Sequence, residues 1–400
     1  MKTPSTHPSP SLAAELRSLP RPVWVLAIGV FINRFGTFVI PFLTLYMTKA
    51  GYSSTEIWKT FAALAAGGMT SAILGGWLAD RIGRKNTMSL ALTSAALSVL
   101  ALWQADSLAS YVIAAFFVGL SHGAYHPAAS SLLADLVPPE RRVIAFGVLR
   151  FAINLGFGCG MAAGGFLAEI SYDLLFIGDA LTTGVYGAIS FFLLPHGLKS
   201  ETGKTSRWLP ALASIWKNKA FVAMFFSSLF GVFLFFHWGG AIALLIRDLG
   251  YPERVYGMLM AFNGFLIVIA ELPLSHWVKR FNARWVIGVG FFLCGVGVAL
   301  CGFAAGWIWI GVALVIFTVG EMISMPVAGA YVSELAPEDM RGRYNGVMGL
   351  TWHFGHAIAP GLGLLLYQTD PASLWWGSLG CGAISLAIIT MTNSEPEKSP

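Results

Sequence analysis

Charged residues are scarce in this sequence: Asp, Glu, Lys and Arg make up 11% of 400 residues, while 56% are hydrophobic. A soluble surface of that size cannot be built from so few charges, which excludes a soluble enzyme and a nucleic-acid-binding protein. Cysteine is scarce as well. The four present, Cys159, Cys294, Cys301 and Cys381, lie in apolar stretches without metal-ligand spacing. Neither a disulfide scaffold nor a metal centre is therefore expected, and these residues read as small helix-packing groups. No P-loop pattern, nucleophile–base constellation or metal cluster occurs, so ATP coupling and catalysis lack support and no cofactor is expected. Residues 1–22 lack an apolar h-region and an A-x-A site. They read as a cytoplasmic tail rather than a signal peptide.

What the sequence has in quantity is apolar length, together with 45 glycines and 14 tryptophans, both favoured in polytopic helical membrane proteins. A bilayer core of roughly 30 Å takes about 20 helical residues to cross. Twelve such stretches are predicted, at about 23–48, 57–79, 86–103, 109–134, 144–168, 174–195, 220–246, 255–278, 284–303, 307–333, 344–367 and 372–392. They must be helices, because hydrocarbon offers no partner for an unpaired backbone group and no ten-residue alternation of a barrel occurs.

Lys and Arg are distributed unevenly over the connections. Nineteen of the 25 fall in the N-terminal tail, the even-to-odd loops and the C-terminal end, and four fall on the opposite side. The positive-inside rule then predicts a multi-pass protein of the cell (inner) membrane with both termini cytoplasmic. The longest polar interruption, 196–218, divides an N-terminal set of six spans (23–195) from a C-terminal set (219–392), with a short tail at 393–400.

The two sets repeat at an offset of 199. Asp135-Leu136-Val137-Pro138 aligns with Glu334-Leu335-Ala336-Pro337, Arg142 with Arg341, Gly156 with Gly355, Gly164 with Gly363, Pro127 with Pro326 and Arg81 with Arg280. Parallel six-helix repeats joined by a linker are the architecture of a rocking transporter, with its site between the halves near the midplane.

Between spans two and three stands Gly75-Gly76-Trp77-Leu78-Ala79-Asp80-Arg81-Ile82-Gly83-Arg84-Lys85. It resembles the G-x-L-A-D-R-x-G-R-K loop signature of the major facilitator superfamily, at the corresponding place in a 6+6 chain. The resemblance covers about residues 23–392 and is strongest to the twelve-helix drug–proton antiporter branch. It implies an all-α membrane protein with the major facilitator fold, twelve transmembrane helices in two pseudo-symmetric six-helix bundles. It further implies that Asp80 docks on the start of span eleven near Asn345 and Gly346, and that Arg84 pairs with Asp135. Gly76, Arg81, Gly83 and Lys85 complete the motif. In the second repeat Asp80 corresponds to Lys279 and Gly83 to Asn282, so any latch is one-sided.

Span five resembles the antiporter signature g-x-x-x-G-P-x-x-G-G through Gly156, Gly160, Gly164 and Gly165, but Met161 stands at the proline position and Pro360 at its repeat equivalent. Close helix packing explains such glycines equally well. The buried arginine usual in span four of proton-coupled members is replaced by Ala115. Proton coupling would then need another titratable group.

Ionisable residues at membrane depth are functional candidates by default. Arg34 is too deep in span one to reach either interface comfortably, and Asn33 flanks it. His122 and His126 lie four apart on one face of span four. Proton transfer, ordinary packing and a metal pair lacking a third ligand all fit them. Glu321 aligns with His122 at the repeat offset and would face it at equal depth, which makes it the principal candidate proton carrier. Glu271 is a second carboxyl candidate, and Arg150 would partner a nearby acid or line the cytoplasmic mouth. His237, His353 and His356 are candidates of lower rank. Phe233, Phe235, Phe236 and Trp238 crowd span seven, where inward-facing rings would form a cleft for amphipathic cargo.

The expectation is a secondary active transporter, monomeric, exporting small amphipathic compounds or drugs in exchange for protons. Transport of a carboxylated metabolite, siderophore or peptide in either direction is the alternative, with a lipid flippase or a non-transporting sensor further behind.

Overall fold

The computed structural model describes residues 16–138, 141–196, 215–337 and 340–392. Within that set Gly76, Asp80 and His126 are described only as helical backbone. Among the described residues, fourteen α-helices of eight residues or more follow one another. They are α1 (Arg21–Phe35), α2 (Val39–Lys49), α3 (Ser54–Ile82), α4 (Arg84–Trp103), α5 (Leu108–Leu136), α6 (Arg142–Ile170), α7 (Tyr172–Leu193), α8 (Lys219–Phe235), α9 (Ala241–Asp248), α10 (Glu253–Val278), α11 (Ala283–Leu300), α12 (Trp307–Leu335), α13 (Arg341–Thr369) and α14 (Pro371–Met391).

Three predicted spans, 57–79, 144–168 and 344–367, gain two or three residues at each end, and the other undivided spans agree with their helices to within three residues. The first and seventh are corrected: each is divided, α1 from α2 at residues 36–38 and α8 from α9 at residues 236–240. Taking α1–α2 and α8–α9 as one pass each, the described residues make twelve. By length and composition, nine helical stretches among the described residues suffice to cross a membrane, α1–α2 counting as one. Leu272, Phe192 and Ile269 are 80%, 76% and 74% exposed, an apolar exterior that suits lipid and not water. The expected tails and linker lie largely outside the described residues, at 1–15, 197–214 and 393–400.

The first interruption follows from local chemistry. Gly36 ends α1, and a Cβ there would collide with the Thr182 side chain of α7. Pro41 is the third residue of α2, a first-turn place where its missing N–H has no intrahelical partner to lose. At the second interruption the backbone closes on itself. Trp238 N–H donates to the Phe235 carbonyl at 3.4 Å, Gly240 N–H to His237 at 3.2 Å and Ile242 N–H to His237 at 3.0 Å.

The halves meet along two seams. In one, α6 and α10 approach through glycine: a Cβ at Gly264 would lie 2.9 Å from Gly158 Cα, and one at Gly165 3.1 Å from Gly257 Cα. In the other, Trp58 Nε1 of α3 donates to the Ala357 carbonyl of α13 at 2.8 Å. Further pairs close the side away from the termini. Tyr172 donates to Glu253 at 3.0 Å, Arg254 bridges Glu169 at 3.0 Å, Ser54 bonds Gln368 and Tyr256 donates to the Pro41 carbonyl at 3.2 Å.

Candidate functional site

The interruption between α1 and α2 gathers polar groups inside the N-terminal half. Asn33 Nδ2 donates to the Thr183 hydroxyl at 3.0 Å, and that hydroxyl donates to Asp179 Oδ1 at 3.3 Å. Asp179 Oδ2 accepts from Val39 N–H, the first residue of α2, at 3.2 Å. The carboxylate therefore caps the restarted helix from α7, satisfying a donor that no helical carbonyl can reach. Arg34, in the last turn of α1, lies within electrostatic reach of Asp179, Tyr125 and Tyr186, and His122 of α5 lies within its reach in turn. Tyr125 and Tyr186 meet through their hydroxyls at 3.3 Å.

Asp179 is absent from the candidates drawn from sequence. The signal available was a lone acid, the sixth residue of an otherwise apolar span at 174–195. His126 falls outside the residues whose side chains are described.

In the C-terminal half the corresponding place is aromatic. Phe236 stacks on His356 with centroids 4.3 Å apart, Phe235 packs edge-on to Phe317 at 4.9 Å, and Trp238 meets the same ring at 5.3 Å. Phe235 and Phe236 both touch Trp352, which is 43% exposed. His237 is fully buried against Phe233 at 4.8 Å, with no hydrogen-bond partner at either ring nitrogen. His353 packs against Gly68 across the α3–α13 seam.

Glu321 and His122 each sit at the centre of a 29-residue helix, at the equal depth the repeat implies. Their surroundings are separate. Glu321 Oε2 accepts from Asn263 Nδ2 at 3.2 Å, while Asn263 also reaches Thr318 at 2.9 Å. The charges acting on Glu321 are those of Glu271 and Arg150, not His122. Arg150 of α6 forms a bidentate ion pair with Glu271 of α10, across the two halves. A carboxyl at mid-membrane beside a charge pair that spans the moving parts can couple protonation to rocking.

In the loop motif, Arg84 pairs with Asp135 and donates to the Ser131 carbonyl at 3.1 Å, tying α4 to the end of α5. Gly83 joins α3 to α4 at φ +87°, which glycine adopts freely. Lys85 lies over Phe191 at 5.6 Å. The proposed docking of Asp80 falls outside the described side chains. The span-five glycines, on α6, divide by face. A Cβ at Gly156 or Gly160 would strike the α1 backbone, and one at Gly164 would press Phe38 and Phe42, so these three seat the interrupted helix. Gly165 faces α10 instead.

Comparison with known proteins points the same way. The family model described as Major Facilitator Superfamily matches residues 26–241 and 236–400. The chain is 25% identical to the Na(+), Li(+), K(+)/H(+) antiporter of Planococcus maritimus, covering 91% of this chain and 92% of that protein. It is 24% identical to the quinolone resistance protein NorA of Staphylococcus aureus, covering 94% and 97%. Among solved structures, a D-xylose–proton symporter superposes with TM-score 0.77 at 15% identity, covering 94% of this chain and 98% of that one. The nucleoside transporter NupG gives TM-score 0.75 at 16% identity, covering 94% and 100%. The proteins matched are membrane transporters, not enzymes.

Proposed function

The chain belongs to the Major Facilitator Superfamily, and on that premise we propose that it exports small amphipathic compounds in exchange for protons. Glu321 carries this reading. It is the acid at the centre of α12, hydrogen-bonded to Asn263 of α10 and within reach of the Arg150–Glu271 pair between the halves. Protonated, it carries no charge to compete for a cation. Ionised, it attracts one, so proton and cationic cargo exclude each other and exchange follows. Similarity to an antiporter supports exchange with protons and similarity to a quinolone resistance protein supports a drug-like cargo, and the aromatic cluster of Phe235, Phe236 and Trp352 supports an amphipathic one. In this reading the termini are cytoplasmic and one chain suffices.

The test is transport by purified protein in proteoliposomes with an imposed pH gradient, using fluorescent cations and quinolones. Glu321→Gln fixes the neutral form and is expected to bring gradient-driven uptake down to the empty-liposome level, with unchanged elution from size exclusion. It should also remove proton release on substrate addition. Release like that of the parent protein would reject Glu321 as the carrier. A carboxylated cargo is the second reading, favoured by Arg34 and by the half-exposed Arg150 side chain. It predicts uptake of organic anions but not cations in the same assay.

A further inference from the structure

The proton route through Glu321 leaves one deeply buried acid unused. Asp179 is 1% exposed and sits eight residues into α7, about 10 Å from the nearer helix end at 1.5 Å per residue. Its oxygens receive the Val39 N–H and the Thr183 hydroxyl. The charge that acts on it is Arg34 from α1, itself faced by Tyr186 of α7 and by Tyr125 and His122 of α5. The other helices packed on α7 carry Arg84 and Lys85 at the start of α4, Tyr46 and Lys49 toward the end of α2, and Arg142, Arg150, Cys159 and Glu169 on α6, and the groups acting on Asp179 are Arg34, Thr183 and the Phe38 and Val39 backbone.

The second half provides an internal control. At the repeat offset Asp179 corresponds to Ser378, Thr183 to Gly382, and Arg34 to Phe233. Ser378 donates to its own helix, at the Leu374 carbonyl, and the α8–α9 interruption is closed by backbone turns alone. Interrupting a helix at this place in the fold thus requires no acid. A buried carboxylate is costly where a serine is not, and it offers what a serine lacks: reversible protonation.

We propose that Asp179 is a second proton-binding site, in the N-terminal half, which takes up and releases its proton as the α1–α2 interruption moves. The proton comes from water on the open side and adds to a carboxylate oxygen. Its return regenerates the carboxylate, with no other bond changed. Loading would loosen the grip on Val39, and α2 also carries Pro41 and Phe42, which meet Tyr256 of α10. Protonation here would therefore bear on the contact that closes the far side. Its use in transport rests on the proton-coupled reading above.

The test is infrared difference spectroscopy of the full chain in lipid, between mildly acid and mildly alkaline buffers, reading the carboxylic acid C=O band. Part of the band should vanish in Asp179→Asn and persist in Glu321→Gln. A folded Asp179→Asn with an unchanged band would overturn the proposal, leaving Asp179 a permanently ionised cap. Should Asp179→Asn not fold, Thr183→Val keeps the carboxyl and removes one donor, and the midpoint should move by about one pH unit, as loss of a hydrogen bond to a charged group implies. An unmoved midpoint would overturn the proposal as well. So would suppression of the Asp179 band by sodium relative to choline, since the site would then hold a metal cation. Failure of the exchange reading itself is separate: it shows as transport indifferent to a pH gradient, whatever the band does.

Discussion

The interruption between α1 and α2 and that between α8 and α9 fall at the same place in the two repeats, yet their chemistry differs. In the first, Asn33, Arg34, Asp179 and Thr183 surround the gap, and a side chain from α7 supplies the acceptor that restarts the helix. In the second, backbone turns close the gap and Phe235, Phe236, Trp238 and His356 line it. A helix break forms at this place in both environments, so the charge in the first half is not a requirement of a break. That contrast supports a division of labour in which the N-terminal gap handles ions and the C-terminal gap touches cargo.

The largest effect that would test this division is expected at Arg34. Its register partner is Phe233, and the C-terminal break keeps its shape without a cation. Arg34→Gln should therefore leave the fold intact while transport falls roughly 10- to 150-fold, the equivalent of the roughly 1.5–3 kcal/mol that a hydrogen bond to a charged group contributes. Arg34→Lys should recover only part of this, because an ammonium lacks the planar fork of guanidinium. Initial rates in proteoliposomes measure it. Normal rates in Arg34→Gln would make the N-terminal cluster structural and erase the contrast.

The legible and the illegible parts of the molecule separate for physical reasons. Apolar length, the loop signature and the uneven Lys and Arg are properties of composition and order, and they fixed the passes, the repeat and the Arg84–Asp135 pairing. The run Asn33-Arg34-Phe35-Gly36 with Pro41 beyond it reads as a slight bend, and the structure makes it a full break at 36–38; the break at 236–240 left no such sign, because Phe, His, Trp and Gly interrupt the helix there inside a strongly apolar stretch. Asp179 escaped because its importance comes from a donor 140 residues away. The repeat offset placed His122 and Glu321 at equal depth, but depth is one coordinate. Which helices turn toward each other decided that Glu321 meets Asn263 while His122 lies within reach of the Arg34 charge.

An intermediate effect belongs to the aromatic break. Phe236 stacks on His356 and touches Trp352, and an aromatic pair contributes about 0.5–1.5 kcal/mol beyond the area it buries. Phe236→Ala should raise KM for aromatic cations roughly 2- to 12-fold on that basis, with the maximal rate and the proton dependence little changed. Kinetics across a series of cargoes with and without rings is the measurement. A loss of proton dependence with KM unaltered would reverse the roles assigned to the two gaps.

The smallest effect sharpens the comparison at the loops. Gly83 and Asn282 share a register position, but Gly83 joins α3 to α4 at φ +87° and ψ 158°, while Asn282 begins α11 at φ −61° and ψ 125°. The first conformation is reserved in practice to glycine, and a side-chain-bearing residue held there costs about 1–3 kcal/mol. The second is ordinary extended backbone, and there the asparagine side chain accepts from Arg284 N–H at 3.0 Å as an N-cap. Replacing an N-cap asparagine by glycine costs only a few tenths of a kcal/mol. A Cβ at Gly83 would meet nothing within 4 Å, so the penalty there is one of backbone conformation and not of space. Gly83→Asn should accordingly lower thermal stability in detergent by clearly more than Asn282→Gly, though each substitution installs what the other repeat already carries. Thermal unfolding followed by tryptophan fluorescence resolves the difference. Equal shifts would mean that the first loop relaxes into the conformation of the second, and that the asymmetry of the motif lies in Asp80 and Arg84 alone.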